Sequence, residues 1–136
     1  MRGVCPGGGM SMDLTRAQRL ASGLLGDLLD VCERIEVGGS IRRRVPQVKD
    51  IELVLVPKWV RQTLRGQASL LGDNTERVNL ARERLLEMQD RGYVDVIKPG
   101  TRDLVPWSLS ADGRYWRLHL PSDRVRVDVF VCDERT

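Results

Sequence analysis

Apolar positions along this chain change period several times, and each change predicts an element. From Asp13 onward, Leu14, Ala17, Ala21, Leu24, Leu25, Leu28 and Cys32 recur at helical spacing. They predict a core-packing amphipathic helix, with Ser11 or Asp13 as its N-terminal cap. Over residues 34–37 the pattern alternates, with Ile35 and Val37 on one face, and predicts a short strand that Gly38-Gly39-Ser40 breaks. Residues 50–56 read as a second strand. Ile51, Leu53, Val54, Leu55 and Val56 make it apolar on both faces, the mark of a buried central strand, and Pro57 ends it. Residues 58–75 are the least regular: Trp59, Val60 and Leu64 predict a short helix, while Gly66, Gly72, Asp73 and Asn74 mark loops. A second helix is predicted over residues 76–90 from Leu80, Leu85, Leu86 and Met88, with Gly92 as its C-terminal cap. Three strands follow, over 93–97, 114–120 and 124–132. In the second, Trp116, Leu118 and Leu120 alternate with Tyr115, Arg117 and His119; in the third, Val125, Val127, Val129 and Val131 share a face. Pro99-Gly100, Asp112-Gly113 and Pro121-Ser122-Asp123 supply the turns between them.

This order predicts one α+β domain over residues 13–136, a mixed sheet with helices mainly on one face. Residues 1–12, with Pro6-Gly7-Gly8-Gly9, read as a disordered segment, and Met10 or Met12 is an alternative start. The length of 136 residues allows one modest core. Three Trp, two Tyr and one Phe leave that core to Leu and Val, and no aromatic platform for stacking single-stranded bases is visible. The net charge of +3, carried mainly by arginine, is compatible with a phosphate-bearing partner. Cys5, Cys32 and Cys132 lie far apart and His119 is the single histidine, so ordinary zinc-site spacing is absent. Scattered cysteines, three in all, fit reduced thiols in a cytoplasmic protein. No apolar run approaches the ~20 residues of a membrane span, and no hydrophobic signal region precedes Met12.

The chemistry concentrates in a few positions. Asp50 and Glu52 stand two apart on a predicted strand, so their side chains share a face. Two anions held close in a low-dielectric region require either a proton on one of them or a cation between them. Mg²⁺ suits such a pair, since it takes one or two carboxylates together with phosphate oxygens and water. The plainer alternative is a solvated pair at a frayed strand end, neutralised by Lys49 or an arginine. Asp128 interrupts an apolar strand, a costly place unless the strand is an edge or the carboxylate is bound; Arg126, on the same face, is expected to orient it. Three carboxylates meeting would form a two-metal cluster. Gly38-Gly39-Ser40 lets backbone N–H groups approach an anion, and Ser40 adds a hydroxyl. Arg42, Arg43 and Arg44 follow at once, and guanidinium groups bind phosphate oxygens in pairs. Elsewhere His119 reads as a partly exposed strand residue, Trp107 and Trp116 as packing residues, and Arg61, Arg65, Arg82 and Arg84 as a solvated face.

Together these residues resemble the palm of the family X DNA polymerases, the polymerase β-like nucleotidyltransferase fold. The resemblance covers residues 33–56 and 114–132. It rests on Gly39-Ser40-Ile41-Arg42-Arg43, on Asp50-Ile51-Glu52 about ten residues after the serine, and on Arg126-Val127-Asp128 on a later strand. It implies a metal-dependent enzyme that adds a nucleotide to a 3′-hydroxyl and releases pyrophosphate. Gly39 and Ser40 would hold the terminal phosphates, with Arg43 reaching the β- or γ-phosphate and Arg42 helping. Asp50 and Glu52 would bind both of two Mg²⁺ or Mn²⁺ ions; Asp128 would bind the catalytic ion and help deprotonate the attacking hydroxyl. The implied partners are a nucleoside triphosphate and a DNA primer 3′-end, in a bacterial or phage-like intracellular protein. Three departures stand out. Lys49 replaces a glycine, Glu52 replaces the commoner aspartate, and the sequence stops at Thr136, eight residues past Asp128, where the family's thumb would follow. A helix-hairpin-helix signature is also absent. These departures keep two alternatives open: a minimal nucleotidyltransferase acting on RNA, protein or a small molecule, and a nucleotide-binding remnant that does not polymerise. They also leave room for a homo-oligomer in which a second copy supplies the missing wall.

Overall fold

Asp13 starts the first helix by accepting a hydrogen bond from the Arg16 backbone N–H at 2.8 Å through Oδ1. Helix α1 (Leu14–Leu28) buries Ala17, Ala21, Leu24 and Leu28, one stripe at helical spacing. A single 3₁₀ turn, Leu29–Val31, ends it, so Cys32 opens the next strand instead of closing the helix. The computed structural model describes residues 11–63 and 75–133. Its other helices are the one-turn α2 (Gly39–Arg42) and α3 (Leu80–Asp90). The strands are β1 (Met12–Asp13), β2 (Cys32–Gly38), β3 (Gln47–Val48), β4 (Ile51–Pro57), β5 (Trp59–Thr63), β6 (Thr75–Asn79), β7 (Asp95–Ile97), β8 (Tyr115–Leu120) and β9 (Val125–Val131).

Five strands form the main sheet in the order β2-β4-β9-β8-β7. β4 and β9 run parallel; the other neighbours are antiparallel, so the sheet is mixed and the fold α+β. Inward residues Ile51, Leu53 and Leu55 of β4, Val127 and Val129 of β9, and Trp116 and Leu118 of β8 share one core with α1 and α3. The opposite sheet face carries Glu52, Val54, Arg126, Asp128, Phe130, Tyr115, Arg117 and His119. β4 is thus buried on one face, not on both: Val54 is exposed and Val56 half-buried.

Two expectations are overturned between Pro57 and Leu80. Trp59 and Val60 lie in β5, which pairs with β6 in an antiparallel hairpin, and not in a short helix. Aromatic and β-branched residues favour such a ladder, and Arg77 stacks over the Trp59 ring at 4.6 Å. The second helix begins at Leu80, because residues 75–79 are committed to this ladder. Asn79 then caps it by accepting from the Arg82 backbone N–H at 3.0 Å. Gly92 (φ 79°) closes α3 in the left-handed region, donating to the Gln89 carbonyl. At the N-terminus Met12 is buried and pairs with Val48, so pairing starts before Asp13. The expectations of disorder over residues 1–10, of loops at Gly66, Gly72, Asp73 and Asn74, and those on Leu64, Arg65 and Cys5 lie outside the described residues.

Asn79 is almost fully buried and also donates to the Ala111 carbonyl at 3.2 Å. Asn79→Ala removes a cap and a buried hydrogen bond, and is expected to cost about 2 kcal/mol, read as a lower urea midpoint at unchanged slope. Burial pushes the Cys32 thiol up to about 11, so at pH 8 it is almost wholly protonated. In the native protein, iodoacetamide at pH 8 should therefore modify half-exposed Cys132 well before buried Cys32, as peptide mass spectrometry will resolve.

Candidate active site

Strand pairing brings the predicted carboxylates onto one surface. In the parallel β4–β9 ladder Glu52 stands beside Asp128. Across the sheet this row continues to Gly38 on one side, and to Arg117 and Ile97 on the other. Asp50 precedes β4, one step before the Ile51–Val127 pair, and lies level with Arg126. That second row continues to His119 and Asp95.

Each carboxylate has its own neighbours. Asp128, only 9% exposed on a central strand, accepts from the Tyr115 hydroxyl at 2.5 Å and from Arg117 Nε at 3.1 Å, both at Oδ1. Arg117 also donates from Nη1 to the Thr101 carbonyl at 3.3 Å, tying this cluster to the loop after β7. Arg126 does not orient Asp128 as expected. It pairs with Asp50, Nε to Oδ1 at 3.7 Å, because strand alternation sets it level with Asp50. Lys49 is exposed and takes no part in that pair. Asp50 Oδ1 is buried and, among the described residues, accepts no hydrogen bond.

Glu52 rests on the glycine turn. Gly39 adopts φ 62°, and a methyl group there would overlap the Glu52 carboxylate. The position therefore requires glycine twice over, for its backbone and for the close approach. Ile41 is buried and anchors α2, while backbone bonds from Arg43 to Gly39 and from Val45 to Ser40 close the turn. Arg44 (φ 57°) ends it in the left-handed region. Arg42, Arg43 and Arg44 are exposed, and none forms an ion pair among the described residues. Three unpaired guanidinium groups thus flank the turn, half-buried Ser40 among them. One helical turn carries little dipole, so an anion at this turn would be held by these side chains and Ser40 and not by the helix.

Magnesium and manganese take hard oxygen ligands, and these residues fit such an ion in donor type. Asp50 Oδ1 lacks a hydrogen-bond donor, and Asp128 Oδ2 is left over by Tyr115 and Arg117, which both use Oδ1. As the side chains stand, no three Asp, Glu, His or Cys groups among the described residues are close enough to hold a metal. Asp50 faces Arg126, Asp128 faces Arg117 and Tyr115, and Glu52 covers Gly39.

Residues outside the motif follow expectation in part. His119 is a partly exposed strand residue, with Nδ1 3.5 Å from Asp95 Oδ2 and without a hydrogen bond at that nitrogen among the described residues. Trp116 packs in the core and donates to the Ser110 carbonyl, whereas Trp107 is exposed under the Lys98 ammonium. Arg84 is partly solvated but paired: it grips both Asp30 oxygens at 3.0 Å, and Arg82 donates to the Leu109 carbonyl. A cleft of about 480 Å³ beside Arg84 and Tyr93 lies on the helical side of the sheet, away from the carboxylates. Tyr115 and Arg117 were missed as site residues. Their alternation with Trp116 and Leu118 placed them on the outer face, but only the β8–β9 register sets them against Asp128.

Arg117→Ala leaves a buried carboxylate with one partner and should cost about 2–4 kcal/mol in urea unfolding. Burial, together with the hydrogen bond to Asp128 and its charge, raises the Tyr115 phenol above the usual value of 10.0. Unfolded chains then lose this proton first, so the stabilisation holds below pH ~10 and declines as pH rises through the folded value. In EDTA, the stability advantage of wild type over Tyr115→Phe should stay constant from pH 7 to about 9.5 and shrink above it.

No protein-family model matches this sequence, and comparison with curated proteins gives no match.

Proposed function

We propose that this chain is a metal-dependent nucleotidyltransferase with a polymerase β-like palm, moving a nucleotide from a triphosphate to a hydroxyl acceptor and releasing pyrophosphate. The observation that carries this reading is the β4–β9 register. It sets Glu52 beside Asp128 on the open sheet face, with Asp50 one step away and the Gly39 turn against Glu52. The same residues carry the sequence resemblance to family X polymerases, including Gly39-Ser40, Arg42-Arg43, Asp50-x-Glu52 and Arg126-x-Asp128.

Ser40, Arg42 and Arg43 hold the terminal phosphates, which become the leaving group. A triphosphate on this turn brings further anionic oxygens against the Glu52 carboxylate, and that crowding calls for a cation between them. Asp50, Glu52 and Asp128 would hold Mg²⁺ or Mn²⁺, two ions in the full site; when bound, the metal neutralises phosphate charge and acidifies the acceptor hydroxyl. Tyr115 and Arg117 hold Asp128 in one rotamer, with Oδ2 left for the reaction. The acceptor oxygen forms a bond to the α-phosphorus as the bond to the β-bridging oxygen breaks. Its electron pair leaves with pyrophosphate, and the hydroxyl proton passes to Asp128 and then to solvent. Positioning and charge neutralisation supply most of the acceleration. DNA with a 3′-hydroxyl is the first acceptor to test.

The test incubates the purified chain with α-labelled triphosphates, Mg²⁺ or Mn²⁺, and primed DNA, single-stranded DNA, RNA, a carrier protein and an aminosugar as acceptors. Label should enter an acceptor only with divalent metal. Asp128→Asn should lower kcat by about a thousandfold or more. Arg43→Ala should raise the triphosphate KM roughly tenfold, the value of one lost charge-assisted contact. Failure of every acceptor to take label, or full activity of Asp128→Ala, defeats the proposal. Triphosphate binding without transfer identifies a nucleotide-binding remnant instead.

A further inference from the structure

The open sheet face carries a third row, of which the site above uses only the Tyr115 hydroxyl. Two residues beyond Glu52, Asp128 and Arg117 stand Val54, Phe130 and Tyr115, side by side across β4, β9 and β8. The Tyr115 and Phe130 rings lie 5.3 Å apart at 32°. Phe130 is 42% exposed and Val54 36%, so together with Tyr115 they form an apolar ledge on a face otherwise charged. Among the described residues, the charge paired level with this row is Glu36 on edge strand β2, which already lies 4.0 Å from Arg34.

Position along the strands gives this ledge a direction. β2 runs antiparallel to β4, so the Gly39–Ser40 turn that follows it lies at the Asp50 end of β4. Val54 and Phe130 lie on the other side of Glu52 and Asp128, about 6–7 Å further along the strands. In-line displacement at phosphorus places the attacking oxygen opposite the leaving one. With pyrophosphate on the arginine-flanked turn, the attacking hydroxyl arrives from the side of the ledge.

We propose that Phe130 and Tyr115, with Val54 beside them, form the seat for the base of the acceptor's 3′-terminal nucleoside. This inference rests on the transferase reading above for its direction. A nucleobase fits an uncharged, partly aromatic ledge because every base presents a π-face that stacks without regard to sequence. A polycationic aminosugar would seek carboxylates here, and a duplex backbone would seek cations; the row offers neither beyond the paired Glu36. Tyr115 links the two parts of the site, since its ring meets Phe130 and its hydroxyl donates to Asp128. A base on the ledge therefore lies next to the carboxylate that receives the hydroxyl proton.

The experiment measures the full chain with single-stranded oligonucleotides that end either in a normal 3′-nucleoside or in an abasic deoxyribose keeping its 3′-hydroxyl. Affinity is read by fluorescence polarisation of a 5′ label, transfer by α-labelled triphosphate. Wild type should prefer the normal end by roughly tenfold, in both affinity and kcat/KM. Phe130→Ala should erase that preference by weakening the normal end alone, with the triphosphate KM unchanged, and Phe130→Trp should restore it. Phe130 is 42% exposed and outside the buried core, so its variants should stay folded, with a melting midpoint lowered by only a few degrees (about 5 °C) through the lost Tyr115 contact. Equal weakening of both ends by Phe130→Ala, no preference in wild type, or efficient transfer to a protein or aminosugar overturns the proposal. Polarisation separates the two readings: base discrimination without label transfer removes the transferase reading and keeps the ledge, whereas transfer without discrimination does the reverse.

Discussion

The parallel pairing of β4 with β9 is the constraint on which the rest of this structure depends. Parallel neighbours need a crossover, and here everything from Lys58 to Arg124 belongs to it. The register is held by apolar side chains on the inner face. Ile51, Leu53 and Leu55 pack with Val127, Val129 and Val131, all essentially buried. A slip of one residue would turn those side chains outward and the carboxylates into the core. Burying each such side chain contributes about 1.5–3 kcal/mol, so the core sets a register that the charges alone would resist. The proximity of Glu52 and Asp128 is thus imposed by hydrophobic burial on the other side of the sheet.

Electrostatics then has to accommodate what packing imposes. Neighbouring cations balance two of the carboxylates: Arg126 faces Asp50, and Arg117 with Tyr115 holds Asp128. The two arrangements differ in quality. Burial works against the Arg117 charge, but Asp128 outweighs it and raises the guanidinium above its ordinary value, so Arg117 keeps its charge beside the carboxylate. Asp50 and Arg126 form an ion pair without a hydrogen bond, and an Asp50 oxygen is buried unsatisfied. A buried acceptor left in that state is destabilising by about 1–3 kcal/mol. Of these two paired carboxylates, Asp50 therefore has more to gain from a further cation, and Asp128 is already fixed in place.

Much of this was legible from residue patterns, and the misreadings have physical causes. Period-2 alternation in 114–120 and 124–132 placed Arg117, Arg126 and Asp128 on the outer face correctly, because alternation is a local property of a strand. Which arginine meets Asp128 is not local. Arg126 is nearer in sequence, but neighbours within one strand face are about 6–7 Å apart, whereas Arg117 stands directly across the ladder. The aromatic ledge escaped for the same reason, since Tyr115 and Phe130 are joined only by register. The hairpin of β5 and β6 was hidden by a helix-compatible reading of Trp59 and Val60, and β6 then shortened the helix expected from Glu76. The conformation of Gly39 was foreshadowed by the Gly-Gly-Ser break. Its contact with Glu52 was not, because the extra methylene of glutamate had no visible destination until Gly38 was paired opposite it.

Strand geometry also explains how a flat surface acquires a chemical order. Three short sequence runs, Asp50-x-Glu52-x-Val54, Arg126-x-Asp128-x-Phe130 and the reversed Tyr115-x-Arg117-x-His119, are each read out at every second residue on the open face. The parallel β4–β9 and antiparallel β8–β9 registers stack these runs into rows. One row joins Asp50, Arg126 and His119; the next joins Glu52, Asp128 and Arg117; the last joins Val54, Phe130 and Tyr115. Charge therefore falls off along the strands, from the arginine-flanked glycine turn through the carboxylates to an apolar edge. Any substrate with a polyanionic end and an uncharged ring end has one favourable way to lie across such a gradient. Reversing it would put phosphates over exposed Phe130 and a ring over Asp50 and Arg126, giving up ion pairing at one end and desolvating charges at the other. Orientation is thus encoded before any single contact is made, by the period of two that a pleated strand imposes on its sequence.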